Sequence, residues 1–207
     1  MEQQELQRYD DSTRMNHWGI ALMFFLAALS GLAFFHPSLF FLSNLFGGGP
    51  WTRILHPYLG LVMVLLFLVM FFRLWRENVI NDSDKAWMAK ASEMLQGNKE
   101  NMPPVGKYNA GQKIIFWAMA ISLLVLLVTG VLFWHAWFGR VFPIFFVRLG
   151  VLLHACSAVV LVLSVIVHIY AAIWVKGTTR AMTRGTVSAG WAKLNHPLWH
   201  QEMTRHK

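Results

Sequence analysis

The chain has 207 residues, 56% of them hydrophobic, with 10 Trp, 16 Phe and 11 Met. Its Lys and Arg number 18 against 10 Asp and Glu, a net charge of +8, yet residues 15–52, 54–72, 114–139 and 149–175 carry no charged side chain. That pattern excludes an ordinary soluble domain, and the lone Cys156 excludes a disulfide, a CxxC site, an iron–sulfur ligand set and covalent CxxCH haem attachment from this chain.

Taken in chain order, the polar, acidic start MEQQELQRYDDSTRMNH is unlike a cleavable signal peptide. A membrane-spanning helix needs about 20 mainly apolar residues. The first charge-free run is long enough for a helix over roughly 16–36 followed by a loop, HPSLFFLSNLFGGGPW, rich in Pro and Gly turn signals. The second run predicts a helix over roughly 53–75. A polar loop, 76–110, follows. Within it NDSDKAWMAKASEMLQGN predicts a short surface helix, with Ser83 or Asp84 as its cap and Gly97 near its stop. Trp87, Met88, Ala91, Met94 and Leu95 form an apolar face that suits either the membrane interface or a partner subunit. The last two runs predict helices over roughly 111–135 and 148–175, ahead of a polar tail, 176–207. The expected fold is an all-α membrane protein, one domain built as a four-transmembrane-helix bundle. Neither an internal repeat nor a low-complexity tract interrupts it.

Four spans put both termini and the 76–110 loop on one side. That side holds Arg8, Arg14, Arg73, Arg76, Lys85, Lys90, Lys99, Lys107, Lys113, Lys176, Arg180, Arg184, Lys193, Arg205 and Lys207; the other holds Arg53, Arg140 and Arg148. The positive-inside rule then predicts cytoplasmic termini. The basic excess is explained by topology and contact with anionic lipid, not by nucleic acid.

Histidines inside such helices are expensive and functional by default. Helix directions place His56 and His154 at matching depth on the outer side, and His17 and His168 at matching depth on the cytoplasmic side. His154 and His168 lie fourteen residues apart on the fourth helix, which leaves a residual rotation of about 40° and a rise of about 21 Å, so both leave one face. One reading is ordinary helix–helix hydrogen bonding. The other is axial ligation of two stacked b-type haems, a use to which bundle interiors are put. His36, before Pro37, and His135, within LFWHAWF, suit the aromatic belt at the membrane surface. His196, His200 and His206 fall in the polar tail and are expected to be solvated. Where the third helix enters the membrane, Asn109, Gly111 and Gln112 form either an ordinary helix start or a place for a quinone carbonyl. Free amides and Asn and Gln donors would hold the oxygen, and glycine would admit the ring.

Several motifs together carry a family resemblance: HWGIALMFFLAALSG from His17, TRILHP to Pro57, VGKYNAGQK from Val105, LLVTGV from Leu126, HIYAAIWVKG from His168 and WAKLNHP from Trp191. They cover nearly the whole chain. The combination is similar to that of the gamma subunits (cytochrome b556) of respiratory, membrane-bound formate dehydrogenases, with Thr52 where glycine is expected. The resemblance implies a dihaem cytochrome b. His56 and His154 would hold the periplasmic haem b, and His17 and His168 the cytoplasmic one. Asn109, Gly111, Gln112 and His168 would line a site where menaquinone or ubiquinone is reduced. It also implies that the chain anchors an iron–sulfur (beta) subunit and, through it, a molybdenum or tungsten catalytic (alpha) subunit that oxidises formate. The heterotrimer could assemble further. Alternatives are the cytochrome b subunit of a membrane hydrogenase or another respiratory oxidoreductase, a transporter using a histidine relay, and an inert membrane anchor.

Overall fold

The computed structural model of the chain describes residues 5–96, 102–138 and 141–205. Gly97, Lys99, Arg140, His206 and Lys207 lie outside the described residues, as do the side chains of Met94 and Leu95. In chain order the elements are β1 (Glu5–Gln7), α1 (Asp11–Phe35), a 3-10 segment (Pro37–Phe46), α2 (Gly49–Leu74) and a second 3-10 segment (Trp75–Asn78). Then come α3 (Asp82–Ala89), α4 (Ala91–Leu95), α5 (Ala110–Leu132), α6 (His135–Phe138), α7 (Ile144–Trp174), α8 (Thr178–Thr183), β2 (Thr186–Ser188), α9 (Ala189–Asn195) and α10 (Pro197–Arg205). Four of the helices, α1, α2, α5 and α7, have 25, 26, 23 and 31 residues. At about 1.5 Å per residue each crosses some 30 Å of hydrocarbon. The protein is a multi-pass, all-α membrane protein with four spanning helices.

The chain divides into two compact units. One comprises Met15–Phe71 and Ala118–Ile166. Its core is built by Phe24 and Ala27 of α1, Met63, Val64 and Phe67 of α2, Leu123 of α5 and Leu161 of α7. Leu65, Ile121, Leu124 and Leu163 face outward while the hydroxyls of Ser30, Ser122 and Thr129 are buried. Lipid is as apolar as leucine, so burying large side chains gains little over facing lipid, and small and hydroxyl side chains share the helix contacts with them.

Helix ends follow from local chemistry. α2 starts at Gly49, ahead of the expected 53, because Pro50 is tolerated in a first turn where its missing N–H costs nothing. Gly47 and Gly48, at φ +85° and +93°, make the left-handed turn before it. Thr52 is fully buried there, and its hydroxyl donates to the Gly48 carbonyl at 2.9 Å and the Ser43 carbonyl at 3.3 Å. α5 stops at Leu132, so His135 opens the short α6 instead of closing a span. α7 begins at Ile144, directly after Pro143, which takes Arg148 into the helix.

The other unit contains Phe72–Trp117, Val167–Lys207 and the segment ending at Arg14. β1 and β2 pair antiparallel, Leu6 opposite Val187, and tie the N-terminal segment to the tail. Leu6, Ala181, Val187, Ala192 and Trp199 form its core. Arg8 is buried beneath aromatic rings, its guanidinium carbon 4.8 Å from the Trp199 centroid and 5.3 Å from that of Trp191.

His196 corrects an expectation. It is buried, not solvated. Its Nδ1 donates to the Gly106 carbonyl at 2.8 Å, which can only accept, so Nε2 turns its lone pair to Arg8 Nη2 at 3.5 Å. Burial first, and then the Arg8 charge, hold its pKa down to about 4, so the ring is neutral at pH 7. With the Leu198 N–H on the Val105 carbonyl at 3.2 Å, the tail fastens the loop that leads into α5.

The loop helix also differs from expectation. The cap of α3 is Asn81, not Ser83 or Asp84: Asn81 accepts from the Asp84 N–H at 3.1 Å, and the Asp84 carboxylate accepts from the Asn81 N–H at 2.9 Å. The helix breaks at Lys90 and resumes as α4. Asp84 then reaches Lys113 Nζ at 2.7 Å, and that ammonium also donates to the Val79 carbonyl at 3.0 Å. Trp117 Nε1 donates to the Asn78 carbonyl at 2.9 Å. These bonds dock the polar loop on the start of α5.

Candidate functional site

Within the helical unit α2 and α7 bring His56 and His154 together, ring centroids 6.3 Å apart and planes at 69°. Each imidazole is held from behind by a hydroxyl on a neighbouring helix. The Nδ1 of His56 lies 2.9 Å from Ser30 Oγ on α1, and the Nδ1 of His154 lies 2.9 Å from Thr129 Oγ1 on α5. A glycine follows each hydroxyl. A Cβ on Gly31 would stand 3.1 Å from His56 Cε1, and one on Gly130 would stand 3.4 Å from His154 Cε1. The two halves therefore repeat one device, hydroxyl–glycine on one helix and histidine on the next. Phe133 closes the edge of His154, with centroids 5.1 Å apart.

The pair suits a specific kind of group. A bare metal ion of the usual tetrahedral sort asks for four ligands, at least three of them from the protein. Among the described residues no cluster of three or more His, Cys, Asp or Glu is placed to hold one. Haem brings its own equatorial nitrogens and asks the protein for one or two axial ligands. Two metal–nitrogen bonds of about 2 Å, with about 1.2 Å from each ring nitrogen to its centroid, set two coordinating imidazoles about 6.4 Å apart. The observed 6.3 Å fits. His36 and His135 are both exposed. His36 caps the 3-10 segment, its Nδ1 accepting from the Ser38 N–H at 3.2 Å. His135 stands at the start of α6.

His17 is half-buried on α1, edge-on to Trp18 at 5.3 Å. It precedes Gly31, the residue that seats His56, by fourteen positions. That is the spacing of His154 and His168 on α7, so on each helix the histidine leaves the same face as the residue fourteen positions away. His168 is exposed on α7. His17 and His168 belong to different units.

At the start of α5, Asn109 and Gln112 cap the helix reciprocally. Asn109 Oδ1 accepts from the Gln112 N–H at 2.9 Å, and Gln112 Oε1 accepts from the Asn109 N–H at 3.0 Å. Both side-chain carbonyls are thereby used, which leaves the Nδ2 and Nε2 amide groups as donors. The Cβ direction of Gly111 is filled by Trp87 of α3, 3.4 Å away, so the glycine there admits an indole.

The serine and threonine were absent from the candidate residues read from sequence. The available signal was the hydroxyl–glycine dipeptide, Ser30–Gly31 and Thr129–Gly130, at the outer end of two predicted spans.

Comparison with known proteins places this architecture. A family model described as prokaryotic cytochrome b561 matches residues 8–185. The chain is similar to the cytochrome b556(fdo) subunit of formate dehydrogenase from Escherichia coli strain K12, at 46% identity over 198 residues, 96% of this chain and 93% of that protein. It is 41% identical over 192 residues to the nitrate-inducible cytochrome b556(Fdn) subunit of the same strain, covering 93% and 88%. With the formate dehydrogenase cytochrome b556 subunit of Haemophilus influenzae it shares 36% over 195 residues, 94% and 82% of the two chains.

Proposed function

This chain belongs to the prokaryotic cytochrome b561 family, and from its similarity to formate dehydrogenase cytochrome b556 subunits we propose that it is the dihaem cytochrome b subunit of a respiratory formate dehydrogenase. In this reading it sits in the bacterial inner membrane with both termini in the cytoplasm, and anchors an iron–sulfur subunit and a molybdenum- or tungsten-bearing catalytic subunit on the periplasmic face. Electrons enter from the iron–sulfur subunit, and menaquinone or ubiquinone is reduced near the cytoplasmic side. The observation that carries the reading is the His56–His154 pair, spaced for one iron and backed by buried hydroxyls.

His56 and His154 would hold the outer haem b, and His17 and His168 the inner one. Haem b held by two imidazoles would supply one-electron transfer there. The Asn109 and Gln112 amide groups would donate to a quinone oxygen, Gly111 lies between them in the helix's first turn, and the second ring nitrogen of His168 offers a further donor. Fifteen basic side chains on the terminal side against three opposite support the orientation. Protons for the quinol would then come from the cytoplasm.

Two expected outcomes test the reading. Asn109→Ala should raise the quinone KM roughly tenfold, the worth of about one good hydrogen bond, in membranes where formate still reduces both haems. Loss of a haem in that variant would assign Asn109 to the haem seat instead. Gly31→Ala should weaken outer-haem retention, because its methyl would meet His56 at 3.1 Å and the ring must yield by a few tenths of an ångström. Gly130→Ala, meeting His154 at an ordinary 3.4 Å, should be tolerated. Haem content after purification distinguishes the two, and equal retention in both variants would contradict the tight seat at Gly31.

A further inference from the structure

We infer that Ser30 and Thr129 are positioning residues that set the tautomer and donor strength of His56 and His154; this deepens the proposed haem ligation and rests on it.

A hydroxyl has one proton. Ser30 spends its proton on its own helix, donating to the Ala27 carbonyl at 3.0 Å. Thr129 does the same, to the Val125 carbonyl at 2.6 Å with Leu126 at 3.3 Å. Each oxygen therefore meets its imidazole as an acceptor, and the proton in that contact belongs to Nδ1. A neutral imidazole with its proton on Nδ1 has its lone pair on Nε2, the form that can bind iron. The opposite arrangement, a hydroxyl donating to Nδ1, would put a proton on Nε2 and block ligation.

Burial makes the choice firm. Ser30 is 0% exposed and Thr129 3% exposed, so no bulk water competes for either imidazole N–H. Four separate helices take part, and the same order of groups occurs in both halves: carbonyl, hydroxyl, Nδ1–H. A histidine whose far nitrogen donates a hydrogen bond is a more basic ligand, and a more basic ligand favours the oxidised metal. Removing the acceptor should therefore make the outer haem easier to reduce, while the inner one, whose ligands these hydroxyls do not touch, keeps its potential.

The test is an equilibrium redox titration of the purified chain, followed in the haem absorption bands. Ser30→Ala and Thr129→Val are each expected to keep both haems and to move one midpoint potential in the positive direction. The hydroxyl-keeping Ser30→Thr and Thr129→Ser should titrate as wild type. Ser164→Ala removes a hydroxyl bonded to its own helix, to the Val160 carbonyl at 2.8 Å, and should shift neither potential. If Ser30→Ala sheds the outer haem while Ser30→Thr retains it, the inference also stands. Unchanged potentials in the haem-replete Ser30→Ala and Thr129→Val chains would overturn it, as would equal haem loss in the alanine and threonine variants at position 30. Failure of the underlying reading would look different: His56→Ala and His154→Ala would then leave the haem content of the chain unchanged.

Discussion

The His154→Ala chain is expected to purify with one b-type haem in place of two, and the His168→Ala chain likewise with one, but with the opposite haem missing. In the first variant His56 would lack its proposed partner, and neither His36 nor His135 is placed to substitute for it. His36 is committed to the Ser38 N–H, and His135 stands exposed at the start of α6. A single axial imidazole leaves a buried haem weakly held and its iron open to other ligands. The two variants should also separate functionally. With His168→Ala, formate should still reduce the outer haem while quinone reduction is lost. With His154→Ala, reduction of the inner haem by formate should be lost. Difference spectra of membranes with formate, and of purified chains with dithionite, read both outcomes. Two haems retained in either variant would refute the ligand assignment.

Asp84→Ala is expected to be the most damaging substitution away from the histidines. Asp84 and Lys113 are 2.7 Å apart with side chains only 4% and 7% exposed. Removing the carboxylate leaves a buried ammonium with one carbonyl, that of Val79, for company. Such half-broken pairs cost about 3–5 kcal/mol. The same side chain also accepts from the Asn81 N–H, so α3 loses its capping box together with its anchor on α5. Asp84→Asn retains a capping oxygen and removes only the charge, which separates the cap, about 1 kcal/mol, from the pair. Replacing both partners, Asp84→Ala with Lys113→Met, should recover much of the loss, since no stranded charge remains. Denaturant unfolding in detergent and proteolytic cutting of residues 82–96 would register these differences. An Asp84→Ala chain within about 1 kcal/mol of wild type would mean that Lys113 finds water in place of its partner.

The spans were legible in sequence because hydrocarbon admits few charges, and four charge-free runs are a coarse signal that survives errors at the ends. The ends themselves depend on single residues. Pro50 opens α2 early, and Pro143 precedes α7, where a count of apolar residues places the boundary elsewhere. The meeting of His56 with His154 follows from helix direction and depth, both of which the order and length of the spans carry. Ser30 and Thr129 did not stand out, since a hydroxyl bonded back to its own helix reads the same whether an imidazole lies beyond it, as at Ser30, or none does, as at Ser164. His196 was misread for a different reason. Its burial is produced by the pairing of residues 5–7 with 186–188 and by Arg8, contacts nearly two hundred positions apart for which the local string HPLWH holds no sign. At Asn109 the structure shows the ordinary cap, which uses the side-chain oxygen and leaves the nitrogen.

Counting haem in the purified wild-type polypeptide, by reduced-minus-oxidised spectroscopy against protein concentration, reaches the centre of this account most directly. Two b-type haems per chain, both low-spin, are the expected result. A chain that purifies intact with none, or with a single haem that survives both His56→Ala and His154→Ala, would contradict it.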